Sequence, residues 1–375
     1  MLLKFAVQNF RGFSNRVEWD LSHPNHYDFN LYALKNGVLK NGIIYGPNGS
    51  GKTNFGLAIF DIVNHLTQKM KKVDYYNNFA FAGKPFSSVC FEYTFQFGDK
   101  RAEYTYSKDH EGRLERERLS IDGRVYVEWN ANVVQTGEFT MSDQVKLDFL
   151  KSRQPVSLLS YLWSNYPLSD EHILFKIRGF VDSMLWYQCL DRREFIGFDS
   201  AVTNNIEDFI IRNSLVDDFA HFLAEVSGQK FRLESSQPNA TVSERSAIVS
   251  VYGNDDFSVE VPFFEIASTG TKALELLYFW MKQLKDASFV FIDEFDAFYH
   301  YSLSFSVCKK LFTMLDCQLF LSSHNTYLMT NDLLRPDCNF ILDSGRIRPL
   351  VECTEKELRF AHNIEKLYRG GTFKG

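Results

Sequence analysis

Asn41-Gly42-Ile43-Ile44-Tyr45-Gly46-Pro47-Asn48-Gly49-Ser50-Gly51-Lys52-Thr53 decides how the chain is read. Ile43, Ile44 and Tyr45 form a short apolar strand. Beyond the glycines, Phe55, Ala58, Ile59, Ile62, Val63 and Leu66 recur at helical spacing. Between strand and helix, Gly46, Pro47, Asn48, Gly49, Ser50, Gly51, Lys52 and Thr53 fit the pattern G-x-x-x-x-G-K-[ST]. Glycines let successive backbone N–H groups turn toward phosphate oxygens, and the helix N-terminus adds a favourable field. Lys52 would bridge the β- and γ-phosphates of a nucleotide, and Thr53 would coordinate Mg²⁺. The plain alternative is a glycine-rich turn before a helix. Agreement of strand, loop and helix favours the nucleotide site.

A second element of the same chemistry lies far along the chain. Phe289-Val290-Phe291-Ile292 reads as a buried strand that ends in Asp293 and Glu294. Strand C-terminal ends are where open α/β sheets hold ligands. Asp293 would hold Mg²⁺ through water, and Glu294 would polarise an attacking water. In isolation such a pair reads equally well as solvated loop charge. Two more segments qualify as partners of the phosphate loop. Ser268-Thr269-Gly270-Thr271-Lys272 sits at an expected helix start, an anion site or an ordinary Ser/Thr cap. His324 follows the strand Gln318–Ser322, placed to touch a γ-phosphate or simply to serve the fold.

The remaining sequence separates these pieces. From 88 to 129 apolar residues alternate, with Val89, Phe91, Tyr93, Phe95 and Phe97 on one face and Asp122-Gly123 as a hairpin signal. Residues 145–230 show helical periodicity without heptads, and strands are expected again at 231–234, 247–252 and 257–261. The expected fold class is α/β, a two-lobed P-loop NTPase head with a mixed sheet, an antiparallel β-meander and a compact helical insertion. Its divisions are 1–140 for the N-terminal lobe, 141–230 for the insertion and 231–375 for the C-terminal lobe.

Length and composition exclude other classes. With 375 residues, 45% hydrophobic and 23% charged, the chain can bury a large core. No apolar run reaches the roughly 20 residues that span a bilayer, and Met1–Phe13 is too polar for a secretory signal. A cytoplasmic protein without membrane contact is expected. Six scattered cysteines form no CxxC pair, against a zinc site or a disulfide framework. The net charge of −6 argues against a surface that grips nucleic acid as a whole. Lys69, Lys71 and Lys72 read as helix C-terminal charge rather than a DNA contact. Arg113, Arg116 and Arg118, alternating with Glu115 and Glu117, read as a solvated strand face.

Taken together, the phosphate loop, acid pair, small-residue helix start and His324 resemble the ABC-type ATPases of the RecF/SMC class. The resemblance covers residues 1–66 and 265–330 and includes Asn9-Phe10-Arg11-Gly12-Phe13. Within that class the STGTKAL, FIDEFDAFYH and SSHNTYLM segments are most similar to OLD-like and abortive-infection ATPases of bacterial defence. The ending, Glu357-Leu358-Arg359 through Asn363-Ile364-Glu365-Lys366-Leu367-Tyr368, is similar as well. The resemblance implies ATP and Mg²⁺ as ligands and a head-to-head homodimer with two composite sites. In each, Ser268 and Gly270 of one subunit would cap a γ-phosphate held by Lys52 of the other. Arg11 would lie near the nucleotide, and Asp296–His300 would form the subunit-crossing loop. The helix start lacks the double glycine of transporters. No glutamine is assigned to the Mg²⁺-contacting loop that links the lobes, and Gln96, on a meander strand, is a weak candidate. After His324 no acidic TOPRIM cluster fits, so the chain reads as an ATPase without its nuclease.

Three functions remain. The first is a dimeric ATPase switch, or a larger assembly of such dimers, that controls a separately encoded nuclease or toxin in anti-phage defence. The second is a DNA-repair or recombination ATPase that clamps DNA, with nucleic acid as its partner. The third is a scaffold that hardly turns nucleotide over. Lack of coiled coils and the acidic charge favour the first over the second, and Glu294 disfavours the third.

Overall fold

The period-two alternation of residues 88–129 leaves one face of each strand apolar, and pairing the strands in sequence gathers those faces into one apolar surface. In the computed structural model, which describes residues 1–67, 69, 75–152, 156–189, 195–197, 206–236, 246–254, 257–297 and 299–373, strands and helices are numbered in chain order. Two compact units emerge. The first comprises Met1–Phe198, Ala287–Phe295 and Cys317–Gly375. The second comprises Asp199–Asp286 and Asp296–Asp316.

Two seven-stranded sheets build the first unit, counted over the described residues. One is antiparallel and contains β1 (Leu2–Gln8), β2 (Val17–Asp20), β6 (Val89–Phe97), β7 (Lys100–Lys108), β8 (Leu114–Ile121), β9 (Arg124–Asn130) and β10 (Val133–Thr136). Its order is β10-β9-β8-β7-β6-β1-β2, so the meander docks directly on the first strand of the chain. Asp122 and Gly123 both take positive φ, 49° and 77°, as a two-residue hairpin turn requires. The other sheet holds β5 (Asn41–Tyr45), β11 (Met184–Gln188), β12 (Phe195–Ile196), β16 (Phe289–Asp293), β17 (Gln318–Ser322), β18 (Asn339–Asp343) and β19 (Arg346–Pro349). Its order is β12-β11-β16-β17-β5-β18-β19, parallel from β11 to β18 with antiparallel edges. The short pair β3 (Leu34–Lys35) and β4 (Val38–Leu39) precedes β5.

Gln318 ties the two sheets together. Its side chain, 2% exposed, accepts from Leu2 N–H at 2.6 Å and donates to Leu2 O at 2.9 Å and Leu39 O at 3.2 Å. A helical pair, α1 (Lys52–Ile59) and α2 (Asp61–Leu66), follows the phosphate loop. Tyr93 on β6 donates to the Ala58 and Ile59 carbonyls at 3.2 and 3.1 Å, at the C-terminal end of α1. Asp61, fully buried, accepts from Lys108 Nζ at 2.6 Å and from Tyr106 Oη at 2.8 Å. The Lys108 ammonium also lies 5.5–6.0 Å from the Tyr76, Phe79, Phe91 and Tyr106 ring centres. Helices α3 (Asp143–Lys151), α4 (Leu158–Asn165), α5 (Ile173–Asp182) and α11 (Ile364–Arg369) complete this unit.

The second unit has α6 (Ile206–Arg212), α7 (Val216–Ser227), the antiparallel sheet β13 (Leu233–Ser236), β14 (Ala247–Asn254) and β15 (Phe257–Pro262), then α8 (Phe263–Ile266), α9 (Thr269–Gln283) and α10 (Tyr301–Met314). Phe219, Phe222, Leu223, Phe263 and Tyr278 form its buried centre.

The α/β class, the mixed sheet and the antiparallel meander are all present. Four details differ from the sequence expectation. Residues 141–230 are divided, since α3, α4, α5 and β11 belong to the first unit and α6 and α7 to the second. The cause is Met184–Gln188, an apolar run too short for periodicity to classify, which pairs in parallel with β16. The helix expected across 55–66 breaks at Phe60. Strands β18 and β19 arise where none was expected. Glu117, expected on a solvated face, is 1% exposed. It accepts from Tyr104 Oη at 2.7 Å, Ser157 Oγ at 2.7 Å and the Leu158 and Leu159 N–H groups at 2.7 and 3.2 Å, which caps α4. Burial raises its pKa, and these four donors oppose the rise. Lys71, Lys72, Asp255 and Phe298 lie outside the described residues. Among the described residues no helix is long and apolar enough to cross a membrane.

Lys108→Met should destabilise the first unit by about 3–5 kcal/mol, because it strands the Asp61 carboxylate without a counter-charge. Urea unfolding followed by tryptophan fluorescence measures this, and an unchanged midpoint would show that the pair contributes nothing.

Candidate functional site

Three parallel strands end side by side at one edge of the central sheet. Ser322 on β17 pairs with Ile44 on β5, and Ile292 on β16 pairs with Leu321. The phosphate loop leaves β5, the acid pair ends β16, and the His324 segment leaves β17. Residues far apart in sequence thus meet through strand order alone.

The loop from Gly46 to Gly51 is shaped by what its glycines permit. A Cβ on Gly46 would lie 2.3 Å from Leu342 O, so no larger residue fits there. Gly51 has φ +98° at the start of α1, and the Phe13 ring lies 3.0 Å from where its Cβ would be. Lys52, 5% exposed, donates from Nζ to Gly46 O at 2.9 Å and to Pro47 O at 3.2 Å, spanning the loop mouth. Ser50 Oγ is buried with no hydrogen-bond partner. A buried hydroxyl without a partner carries a desolvation cost, so a polar ligand in the loop suits it. Helix α1 then presents its N-terminus to the same place.

Asp293 is completely buried. Its Oδ1 accepts from Ser322 Oγ at 2.5 Å, and its Oδ2 has no hydrogen-bond partner. Burial raises the Asp293 carboxyl above its ordinary value. The Ser322 hydroxyl, the nearby Thr53 hydroxyl and the Lys52 ammonium pull it back down. An acidic oxygen with spare lone pairs beside a threonine hydroxyl is a hard-oxygen set suited to Mg²⁺. Glu294 is partly exposed and holds φ +51°, rare for a residue with a side chain. Its N–H donates to Ser322 Oγ at 2.8 Å, and the next N–H, of Phe295, to Ser322 O at 3.1 Å. The chain therefore turns sharply as it leaves β16, and strain of this kind clusters at functional sites.

His324 is exposed, two residues past the end of β17. Arg11 has φ +46° and donates to Asn54 Oδ1 on α1 at 3.3 Å and to Tyr75 O at 3.1 Å. Its guanidinium stands 5.4 and 5.5 Å from the Phe10 and Tyr75 rings, with Nε buried and without a hydrogen-bond partner. Asn9-Phe10-Arg11-Gly12-Phe13 thus packs on the phosphate loop and the helix behind it. Gln96 instead donates to Gly98 O at 2.8 Å within its own hairpin turn.

In the second unit Ser268 caps α9, its Oγ accepting from Thr271 N–H at 3.2 Å. Ser268, Gly270, Thr271, His300 and Ser302 line one cavity of about 290 Å³. His300 Nδ1 lies 3.0 Å from Ser302 Oγ.

The first unit accordingly assembles Gly46–Thr53, Asp293, Glu294, the His324 segment and Arg11, and within the second unit Ser268 and Gly270 line a cavity with His300. Sequence reasoning passed over Ser322 and Asn54, and it quoted Phe13 in a motif without giving it a role. For Ser322 a signal existed, since a second small polar residue closes the strand just ahead of His324.

The family described as "AAA domain, putative AbiEii toxin, Type IV TA system" matches residues 43–330, well over half of the chain. No protein of curated function matches the sequence. Among solved structures the chain is similar to the SMC head bound to the C-winged helix domain of ScpA, at 14% identity and TM-score 0.46 over 94% of this chain and 98% of that one. It is also similar to the SMC head domain from Thermotoga maritima, at 15% identity and TM-score 0.44 over 93% and 98%. A Smc head domain with an extended coiled coil, bound to the C-terminal domain of ScpA derived from Pyrococcus furiosus, gives 14% identity and TM-score 0.42 over 92% and 95%. The phosphate loop and acid pair lie within the matched span, and the chain belongs to this AAA-domain family of P-loop ATPases.

Proposed function

We propose that the chain hydrolyses ATP as an ABC-type dimer switch and controls a separately encoded effector, a nuclease or toxin, in bacterial anti-phage defence. The observation that carries the hydrolytic part is the convergence of Lys52, Thr53, Asp293 and Glu294 at the ends of β5 and β16. Backbone N–H groups of residues 49–53 and the Lys52 ammonium would hold the phosphates. Thr53 and Asp293 would hold Mg²⁺, which supplies charge neutralisation on the phosphate oxygens. Glu294 would take a proton from water as its oxygen bonds to the γ-phosphorus and the bond to ADP breaks. His324 would order that water or touch the γ-phosphate, and Arg11 would flank the nucleotide. Ser268 and Gly270 would cap the γ-phosphate held by a second copy, so turnover would need both subunits. The family's own description, with its toxin and toxin–antitoxin system, supports the defence role. A cytoplasmic location goes with that role. Clamping of DNA in the manner of repair ATPases is the alternative.

Lys52→Ala should abolish binding of a fluorescent ATP analogue. Glu294→Gln should bind it normally and hydrolyse at least about 100-fold more slowly, the share expected of a general base. Normal hydrolysis by Glu294→Gln would remove Glu294 from the mechanism. Mass photometry of Glu294→Gln with ATP–Mg²⁺ should show dimers that ignore added 40-base-pair DNA. Dimers that load onto DNA only with ATP would put the clamp first.

Ser322→Ala should slow turnover about tenfold while leaving analogue binding intact, since it releases the group that orients Asp293 and Glu294. Steady-state rates with both ligands in excess decide the point, and a wild-type rate would refute it.

A further inference from the structure

The segment that carries His324 is held from both sides. Upstream, Ser322 is fixed by the Glu294 and Phe295 N–H groups. Downstream, Asn325 Oδ1 accepts from Tyr327 N–H at 3.1 Å and caps the tight turn Thr326–Leu328. That turn meets α11. Thr326 Oγ1 donates to Glu365 Oε1 at 3.4 Å, and Arg369 Nε donates to the same oxygen at 3.0 Å. The Arg369 guanidinium stands 5.3 Å from the Tyr327 ring centre. Helix α11 is itself well seated. Ile364 is 1% exposed, and the Asn363 side chain accepts from Lys366 N–H at 2.8 Å. Asn331 Nδ2 donates to Arg359 O, Phe360 O and His362 O at 3.0, 2.9 and 3.2 Å, which anchors the approach to the helix.

We propose that Glu365 and Arg369 are positioning residues for His324, so that the docking of α11 sets the hydrolysis rate. The inference rests on the role given to His324 above. Leu328 anchors the far end of this turn in the core, while its near end, Thr326 and Tyr327, leans on the Glu365 and Arg369 side chains. Imidazole geometry one residue upstream of Asn325 is then set by the Glu365–Arg369 pair. The phosphate loop makes no use of this pair, so nucleotide affinity and rate respond separately. A partner that grips the exposed side of α11 would act on turnover without touching the nucleotide.

The test uses the full chain and steady-state ATPase kinetics, with a fluorescent ATP analogue for affinity. Arg369→Ala should lower kcat about tenfold, within the cost of misplacing a catalytic group. KM and analogue affinity should stay within about twofold, the pattern of an interaction felt only in the transition state. Arg369→Lys should recover most of the rate. Glu365→Gln, which keeps the side-chain volume, should repeat the loss. In a His324→Ala background Arg369→Ala should cost nothing more. A wild-type rate in Arg369→Ala, an additive loss on top of His324→Ala, or a parallel loss of affinity would overturn the proposal. If His324→Ala alone turns over normally, the reading of His324 fails. If His324→Ala is slow and Arg369→Ala is not, only the positioning role fails.

Discussion

The hydroxyl of Ser322 occupies the junction on which the site depends. It gives its one proton to Asp293 and uses a lone pair for the Glu294 N–H. A hydroxyl can serve as donor and acceptor at once, so one small group satisfies a buried carboxylate and a strained backbone together. Asp293 has no exposed surface, and an isolated carboxylate there would shed its charge rather than pay its desolvation. With the hydroxyl on one oxygen and a second oxygen unpaired, the carboxyl keeps capacity for a cation. Glu294 departs from the strand at a positive φ because Ser322 and its carbonyl catch the two N–H groups that follow.

Around this junction the first unit supplies rigidity from two directions. From the antiparallel sheet, Tyr93 holds the end of α1 and Lys108 holds the start of α2. From the segment between β1 and β2, Phe13 and Arg11 brace the loop and the helix it feeds. A phosphate loop needs backbone N–H groups fixed in space before a ligand arrives, since ordering them on binding would subtract from affinity. The aromatic packing between meander and helices meets that need.

Local chemistry was readable in the sequence where a residue type has few physical uses. Glycines followed by Lys52 and Thr53 announce themselves because their spacing serves one geometry, and an apolar strand ending in Asp293 and Glu294 takes its meaning from the presence of that loop. The meander was equally plain, since alternation over nine residues has no helical counterpart. What stayed hidden depends on partners distant in sequence. Met184–Gln188 is a five-residue run, its first four residues buried, that becomes a strand only because β16 stands beside it. Glu117 looks like every other acid in a run of alternating charges until α4 lays its N-terminus on it. Ser322 and Asn54 act through contacts that no periodicity encodes. The expected insertion blurred two segments because helical spacing carries no information on which core a helix joins.

The strand order of the central sheet also governs when the protein can be finished. During synthesis β5 emerges early, yet its neighbours β17 and β18 come from 318–322 and 339–343. Until the ribosome has passed those positions, β5 has no strand partner on either flank, and the glycine loop it carries lacks the sheet that fixes its start. The meander, by contrast, pairs strand to adjacent strand and can close while the rest is still being made. A chain interrupted before residue 318 would therefore keep its aromatic sheet and lack a nucleotide-competent loop. Quality control in the cell would meet a half-built ATPase that cannot yet fire.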